Sequence, residues 1–193
     1  MNCLPIGIKF LNMKKLFFLL LTSLLLYSCK CEREEVGKNL LKSENREYLK
    51  TNKRNVEYLN EDSNVIDTRF DGAKIILTQV ANGPEDCNYT TNEYAEENFV
   101  FGSYNGRIKY TNTDIVLELY NGIERNVFNI LNISDAKYDN ALQNITLNGF
   151  SFNNVLVLEK VSEGGSFNKI IYSKTNGIEF ILFEDGTWYK RVE

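Results

Sequence analysis

The chain has 193 residues, a formal net charge of −4, 43% hydrophobic and 25% charged side chains, and no histidine. That is the composition of a foldable globular chain. Without an imidazole it excludes Ser-His-Asp and Cys-His nucleophile systems, His-ligated zinc and any imidazole base. With only two prolines it also lacks proline-rich recognition stretches.

Residues 1–28 carry Lys9, Lys14 and Lys15 and no acid, and 16–27 are apolar apart from Thr22 and Ser23. A run that short does not span a bilayer, which takes about 20 helical residues. After a positive start it predicts a secretory signal peptide. Met13-Lys14-Lys15 reads as the start of that signal, with 1–12 as an upstream extension. Leu26-Tyr27-Ser28-Cys29 then resembles the lipobox of bacterial lipoproteins, although Tyr27 is bulkier than usual at its position. The resemblance implies that Cys29 becomes the diacylglyceryl-modified, N-acylated first residue of the mature chain. Three acyl chains, each contributing about 0.8 kcal/mol per buried methylene, anchor a protein to the membrane without a spanning helix. Lys30, where an aspartate would resemble a retention signal, implies the outer membrane. Glu32, Glu34 and Glu35 loosely resemble acidic surface-export tags, or are simply a solvated tether, so the periplasmic face and the cell surface both stay open.

The leader removes three of the 22 basic residues and none of the 26 acids, leaving 19 against 26, a net charge of about −7. Such a domain has no basic field for phosphate backbones, so no nucleic-acid partner is expected. Cys31 and Cys87 remain after cleavage and lipidation, either as a disulfide or as two separate thiols. Residues 29–60 read as the lipidated cysteine and a charged tether, with a weak helix whose thin apolar stripe is Leu40, Leu41 and Tyr48.

From residue 61 to 193 the chain reads as one β domain. Seven glycines follow Asn or Asp: Asp71-Gly72, Asn82-Gly83, Asn105-Gly106, Asn121-Gly122, Asn148-Gly149, Asn176-Gly177 and Asp185-Gly186. These pairs tolerate the positive φ angles of tight hairpin turns. The segments between them predict strands over 65–70, 73–80, 99–104, 107–111, 115–120 and 123–130. Further strands are expected over 145–147, 150–152, 155–161, 170–173, 178–184 and 187–192. The expected fold is all-β: an antiparallel meander of short hairpins forming a barrel-like or strongly curved sheet. Strands such as 155–158 are apolar on both faces, so they need cover on both sides or line an apolar interior.

The last third carries Asn148-Gly149-Phe150, Asn154-Val155, Ile171-Tyr172-Ser173-Lys174, Gly177-Ile178 and Asp185-Gly186-Thr187-Trp188. In this rhythm, and in the lipobox, the chain resembles small uncharacterised lipoproteins of Gram-negative bacteria. The resemblance implies a β-rich fold and an envelope address, and it transfers no active site.

Within 83–98, Glu85, Asp86, Glu93, Glu96 and Glu97 offer calcium-like oxygen chemistry. They lack EF-hand spacing, and a solvated loop is the expected reading. Glu159, Glu163, Glu179 and Glu184 contain the makings of a glycosidase carboxylate pair, but no spacing selects one. Trp188, Tyr189 and Tyr172 offer a stacking platform for a sugar, or fill the core. No catalytic residue, metal site or cofactor is therefore assigned. The expected function is a lipid-anchored, non-enzymatic binding or interaction module for an apolar ligand or an envelope protein partner; the alternative is a carboxylate-dependent envelope glycan hydrolase.

Overall fold

The structure, a computed structural model, describes residues 33–81, 83, 87–130 and 137–192. Residues 1–28, expected as a signal peptide, and Cys29 and Cys31 lie outside these residues. In chain order the elements are β1 (Glu35–Asn39), α1 (Ser43–Arg46), β2 (Arg54–Asn60), β3 (Val65–Phe70), β4 (Lys74–Ala81), β5 (Tyr89–Phe101) and β6 (Tyr104–Tyr110). Then come β7 (Ile115–Tyr120), β8 (Arg125–Asn129), a 3-10 turn (Tyr138–Ala141), β9 (Gln143–Leu147), β10 (Phe150–Lys160), β11 (Phe167–Ser173), β12 (Gly177–Phe183) and β13 (Trp188–Arg191).

Ten strands close a ring, in the order β5, β3, β2, β13, β12, β11, β10, β8, β7, β6 and back to β5. Every step round it is antiparallel. The all-β meander expected from the sequence is therefore a closed barrel, which leaves no free edge in its wall. Outside the ring β1 and β4 flank the first half of β5, and β9 pairs with the first half of β10.

Two of the turn dipeptides do different work from that expected. Phe70 pairs with Phe99 and Lys74 with Glu96, so β3 and β4 run on along the same edge of β5. Three residues, 71–73, stand there against two, 97 and 98, which is a β-bulge and not a hairpin. Gly72 sits in it at φ 81°, and a Cβ added there would collide with the Thr51 backbone carbonyl. Gly106 lies within β6 opposite Phe99, whose ring occupies the space a side chain would take, while the β5–β6 turn falls at Gly102-Ser103. By contrast Asn148 (φ 49°) and Gly149 (φ 82°) do make the two-residue hairpin turn between β9 and β10.

The stretch expected as a tether is largely part of the domain. It contributes β1, α1 and the wall strand β2, and its Leu41 and Tyr48 are buried in the main core. The helix there is one turn long, with no side-chain cap. Tertiary bonds hold it: Asn45 donates to the Asn112 carbonyl (3.2 Å) and accepts from the Tyr138 amide (3.2 Å). Residues 89–98, expected as a solvated acidic loop, form most of the longest strand.

Side chains fill the barrel. Inward positions include Tyr58, Ile108, Ile115, Leu117, Leu119, Leu156, Leu158, Ile170 and Ile181, all with at most 1% of their surface exposed. Phe167 blocks one end as the hub of an aromatic cluster, against Tyr104 (4.7 Å), Phe183 (4.4 Å), Phe128 (6.4 Å) and Phe101 (6.5 Å). At the other end Tyr48 and Tyr138 meet edge to face at 5.2 Å beneath the α1 segment.

The strands apolar on both faces are covered on both sides. A second core of Phe152, Val155, Val157, Ile171 and Phe180 lies on the outside of the wall. It forms because β10 changes course at Asn154 (φ 54°), where the pairing register shifts, and the β9–β10 hairpin folds back over β10–β13. Ile145, Leu147, Phe150 and Trp188 complete this cover.

The bulge makes a direct prediction. Gly122 also has a positive φ but nothing within 4 Å of an added Cβ, so Gly122→Ala should cost about 1–2 kcal/mol for conformation alone. Gly72→Ala should cost a further 1–3 kcal/mol, roughly, for crowding the Thr51 backbone. Urea denaturation of both variants measures the difference, and equal losses would contradict the bulge packing.

Candidate functional site

Two polar features stand out against this apolar frame, one inside the barrel and one on its wall. Inside, Glu97 projects from β5 with no exposed side-chain surface, and Arg54 on β2 clasps both its oxygens at 2.5 and 3.2 Å. The guanidinium also lies 4.2 Å over the Phe70 ring. The bulge turns the Gly72 amide toward the same carboxylate. The Tyr110 hydroxyl stands 3.5 Å from Glu97 and 2.9 Å from the Tyr172 hydroxyl, and Tyr172 donates to the Tyr48 carbonyl at 3.1 Å. A polar chain thus runs from β2 through β5, β6 and β11 to the capping segment. Lys50, which donates to the Lys174 carbonyl at 2.5 Å, lies beside it. Burial and the neighbouring Arg54 lower its ammonium from the ordinary range.

Burial pushes the Glu97 carboxyl up, and the Arg54 pair and the Tyr110 hydroxyl oppose that rise without cancelling it. The network has the character of a structural clamp: each residue in it has a partner within the wall or cap, although the Arg54 Nε is buried without one. Glu93, two side-chain layers along the same face of β5, likewise holds Arg46 at 2.5 and 2.7 Å.

On the outside, the wall formed by β3, β5, β6 and β7 carries an open groove of about 470 Å³. Arg69, Val100, Asn105, Tyr120 and Arg125 stand in one row across adjacent strands, each directly opposite the next. Tyr120 is 46% exposed at the groove, beside Asn98 and Asp71. Below it a charge ladder crosses four strands: Glu96 to Arg107 (4.0 Å), Arg107 to Glu118 (2.9 Å) and Glu118 to Arg125 (2.8 Å). Burial pushes the Glu118 carboxyl up, but hydrogen bonds from Arg125 and Arg107 prevail and hold it below its ordinary range.

The residues singled out in the sequence do not converge. Trp188 stacks on Phe180 at 5.7 Å beneath the β9–β10 hairpin, Tyr189 packs against Phe101, and Tyr172 is fully buried, so they form no platform. Glu159 pairs with Lys169, Glu184 with Lys160, and Glu179 accepts from Ser173 and Asn176. No two of these share a partner. Of the acidic stretch, Glu93, Glu96 and Glu97 each face an arginine, while Glu85 and Asp86 lie outside the described residues. Among the described residues no group of three or more acids and cysteines is placed to hold a metal. Cys87 is disulfide-bonded; Cys31, the partner the sequence offers, lies outside the described residues. Among these residues no helix is long and apolar enough to cross a membrane.

Tyr120 and Arg69 escaped the sequence reading because each looks like an ordinary outward strand residue. Only the register sets them in one row. No family model, no curated protein and no solved structure matches this chain.

The clamp has a testable pH signature. Because the Glu97 carboxyl is raised in the folded state, its protonated form favours folding. That contribution is present below the unfolded-state value of about 4.3 and is lost as pH rises through the folded-state value. Arg54→Met removes the opposing charge and should cost about 3–5 kcal/mol at neutral pH. Part of this should return as the pH is lowered toward 5, and Glu97→Gln in the same background should abolish that recovery. Urea titrations at both pH values check it.

Proposed function

We propose that this chain is a lipid-anchored lipoprotein of the outer membrane whose barrel is a non-enzymatic interaction module, engaging an envelope protein through its outer wall. The observation that carries this reading is the filled interior. Barrels that carry small apolar molecules need an internal cavity, and here aromatic and aliphatic side chains occupy the interior and both ends. Function is then left to the surface. Tyr and Arg are the residue types that dominate protein interfaces, and Arg69, Tyr120 and Arg125 present them in one row on a rigid sheet. The lipobox supports the anchor, with Cys29 as the lipid-bearing residue and the membrane as its first partner.

Native mass spectrometry of the chain with Cys29→Ser, purified gently from its host, is expected to give the bare polypeptide mass. A stoichiometric lipid adduct would overturn the surface reading in favour of an apolar carrier. Photo-crosslinking in cells from position 120 should yield one discrete protein adduct, weakened about ten-fold or more by Arg69→Ala. Cys29→Ala should abolish palmitate labelling, and persistent labelling would remove the anchor from the proposal.

A further inference from the structure

The closed wall leaves the strands outside it to deal with their own edges, and β4 does so least. One edge of β4 pairs with β5 along its whole length, from Lys74 opposite Glu96 to Ala81 opposite Tyr89. Its other edge joins no strand among the described residues. Exposed edges are normally guarded by charges, proline, bulges or shortness. In the eight residues of β4 the only charge is Lys74, and 75–81 reads Ile-Ile-Leu-Thr-Gln-Val-Ala with no proline or glycine. Ile75 is 48% exposed, Leu77 64% and Val80 47%. The other outlying strands are protected: β1 carries Glu35, Lys38 and a register shift at Gly37, and β9 is five residues long with Gln143 and Asn144.

We infer that β4 is a homodimer edge, pairing antiparallel with β4 of a second copy of this chain about a two-fold axis at Leu77. The pattern of β4 is self-complementary, and its charge does not oppose a second copy. An antiparallel self-pairing centred on Leu77 sets Lys74 opposite Val80 of the second copy and Ile75 opposite its Gln79. Ile76 then faces Thr78 of the second copy, and Leu77 faces Leu77. The only charge of each strand therefore meets an apolar residue, and no like charges are opposed. The acids of β5 behind it are neutralised, Glu93 by Arg46 and Glu96 by Arg107. The two Leu77 and two Ile75 side chains join into one apolar stripe across the axis, and the interface is self-complementary as a two-fold contact requires. The result is a continuous six-stranded sheet of β1, β5 and β4 from each copy.

The test uses the full chain in mild detergent. Sedimentation velocity at tens of micromolar should give a dimer for the native chain and a monomer for Leu77→Lys, with unchanged circular dichroism. Should Leu77→Lys prove unfolded, Ile75→Lys takes its place. Opposed residues of an antiparallel pair have Cβ atoms about 4.5–5.5 Å apart, close enough for a disulfide with modest adjustment. Leu77→Cys should therefore cross-link two copies under mild oxidation. Ile123→Cys, at a turn residue 96% exposed and far from β4 in the fold, should not exceed the native background. A monomeric native chain, or equal cross-linking at 77 and 123, overturns the proposal; a native complex in which cross-linking from position 77 captures a different protein does the same.

Discussion

Glu97 sets the terms on which this barrel closes. A carboxylate without exposed surface is stabilised only by a partner that is equally committed, and Arg54 supplies one from two strands away. The pair fastens β2 to β5 across the β3 strand that separates them. Its remaining hydrogen-bonding needs recruit the bulge at Gly72, the tyrosines of β6 and β11, and through Tyr172 the backbone of the cap. Wall, bulge and cap therefore share one polar centre, and an error in any of them leaves a buried charge unpaired. Such a network favours one register over its neighbours, since a slip of one residue would turn Glu97 outward.

The division of apolar residues follows from the same closure. A ten-strand barrel has an interior wide enough to need large side chains, and Tyr and Phe fill it. Four of the ten wall strands, β10–β13, are also apolar outside, and the β9–β10 hairpin covers them. The side formed by β5–β8 is polar outside and laced by the Glu96–Arg107–Glu118–Arg125 ladder. No hairpin covers this side among the described residues, and the groove at Tyr120 lies on it.

Local chemistry made much of the architecture readable. The strands Val65–Phe70 and Ile115–Tyr120 have the expected bounds, and Asn148-Gly149 turns the chain as its φ tolerance implies. What escaped was set by partners distant in sequence. Asp71-Gly72 has the composition of a hairpin, but the continuous edge of β5 beside it makes it a bulge. Residues 89–98 look solvated because of their glutamates, whereas arginines from α1, β2 and β6 bring three of these carboxylates into the structure. The charged segment before residue 60 hid two strands for a similar reason. Its alternation of Lys and Glu masked the few residues, Leu41, Tyr48, Val56 and Tyr58, that carry its packing. The surface row at Tyr120 had no sequence signal at all, because register across five strands is not written in any one of them.

The direction of β1 has a mechanical consequence. Among the described strands it is the one parallel to its neighbour, joined to β5 by four residue pairs between Glu35 and Asn39. It lies at the beginning of the described chain, on the side from which a lipidated Cys29 would be pulled. Tension drawn along that strand loads its bonds together in shear, whereas a perpendicular pull would open them one by one. Behind β1 stand the capping helix and the disulfide-bonded Cys87 two residues before β5. Were the chain anchored at Cys29 as proposed, a pull from that side would meet this shear geometry first, and the barrel beyond would be spared the load.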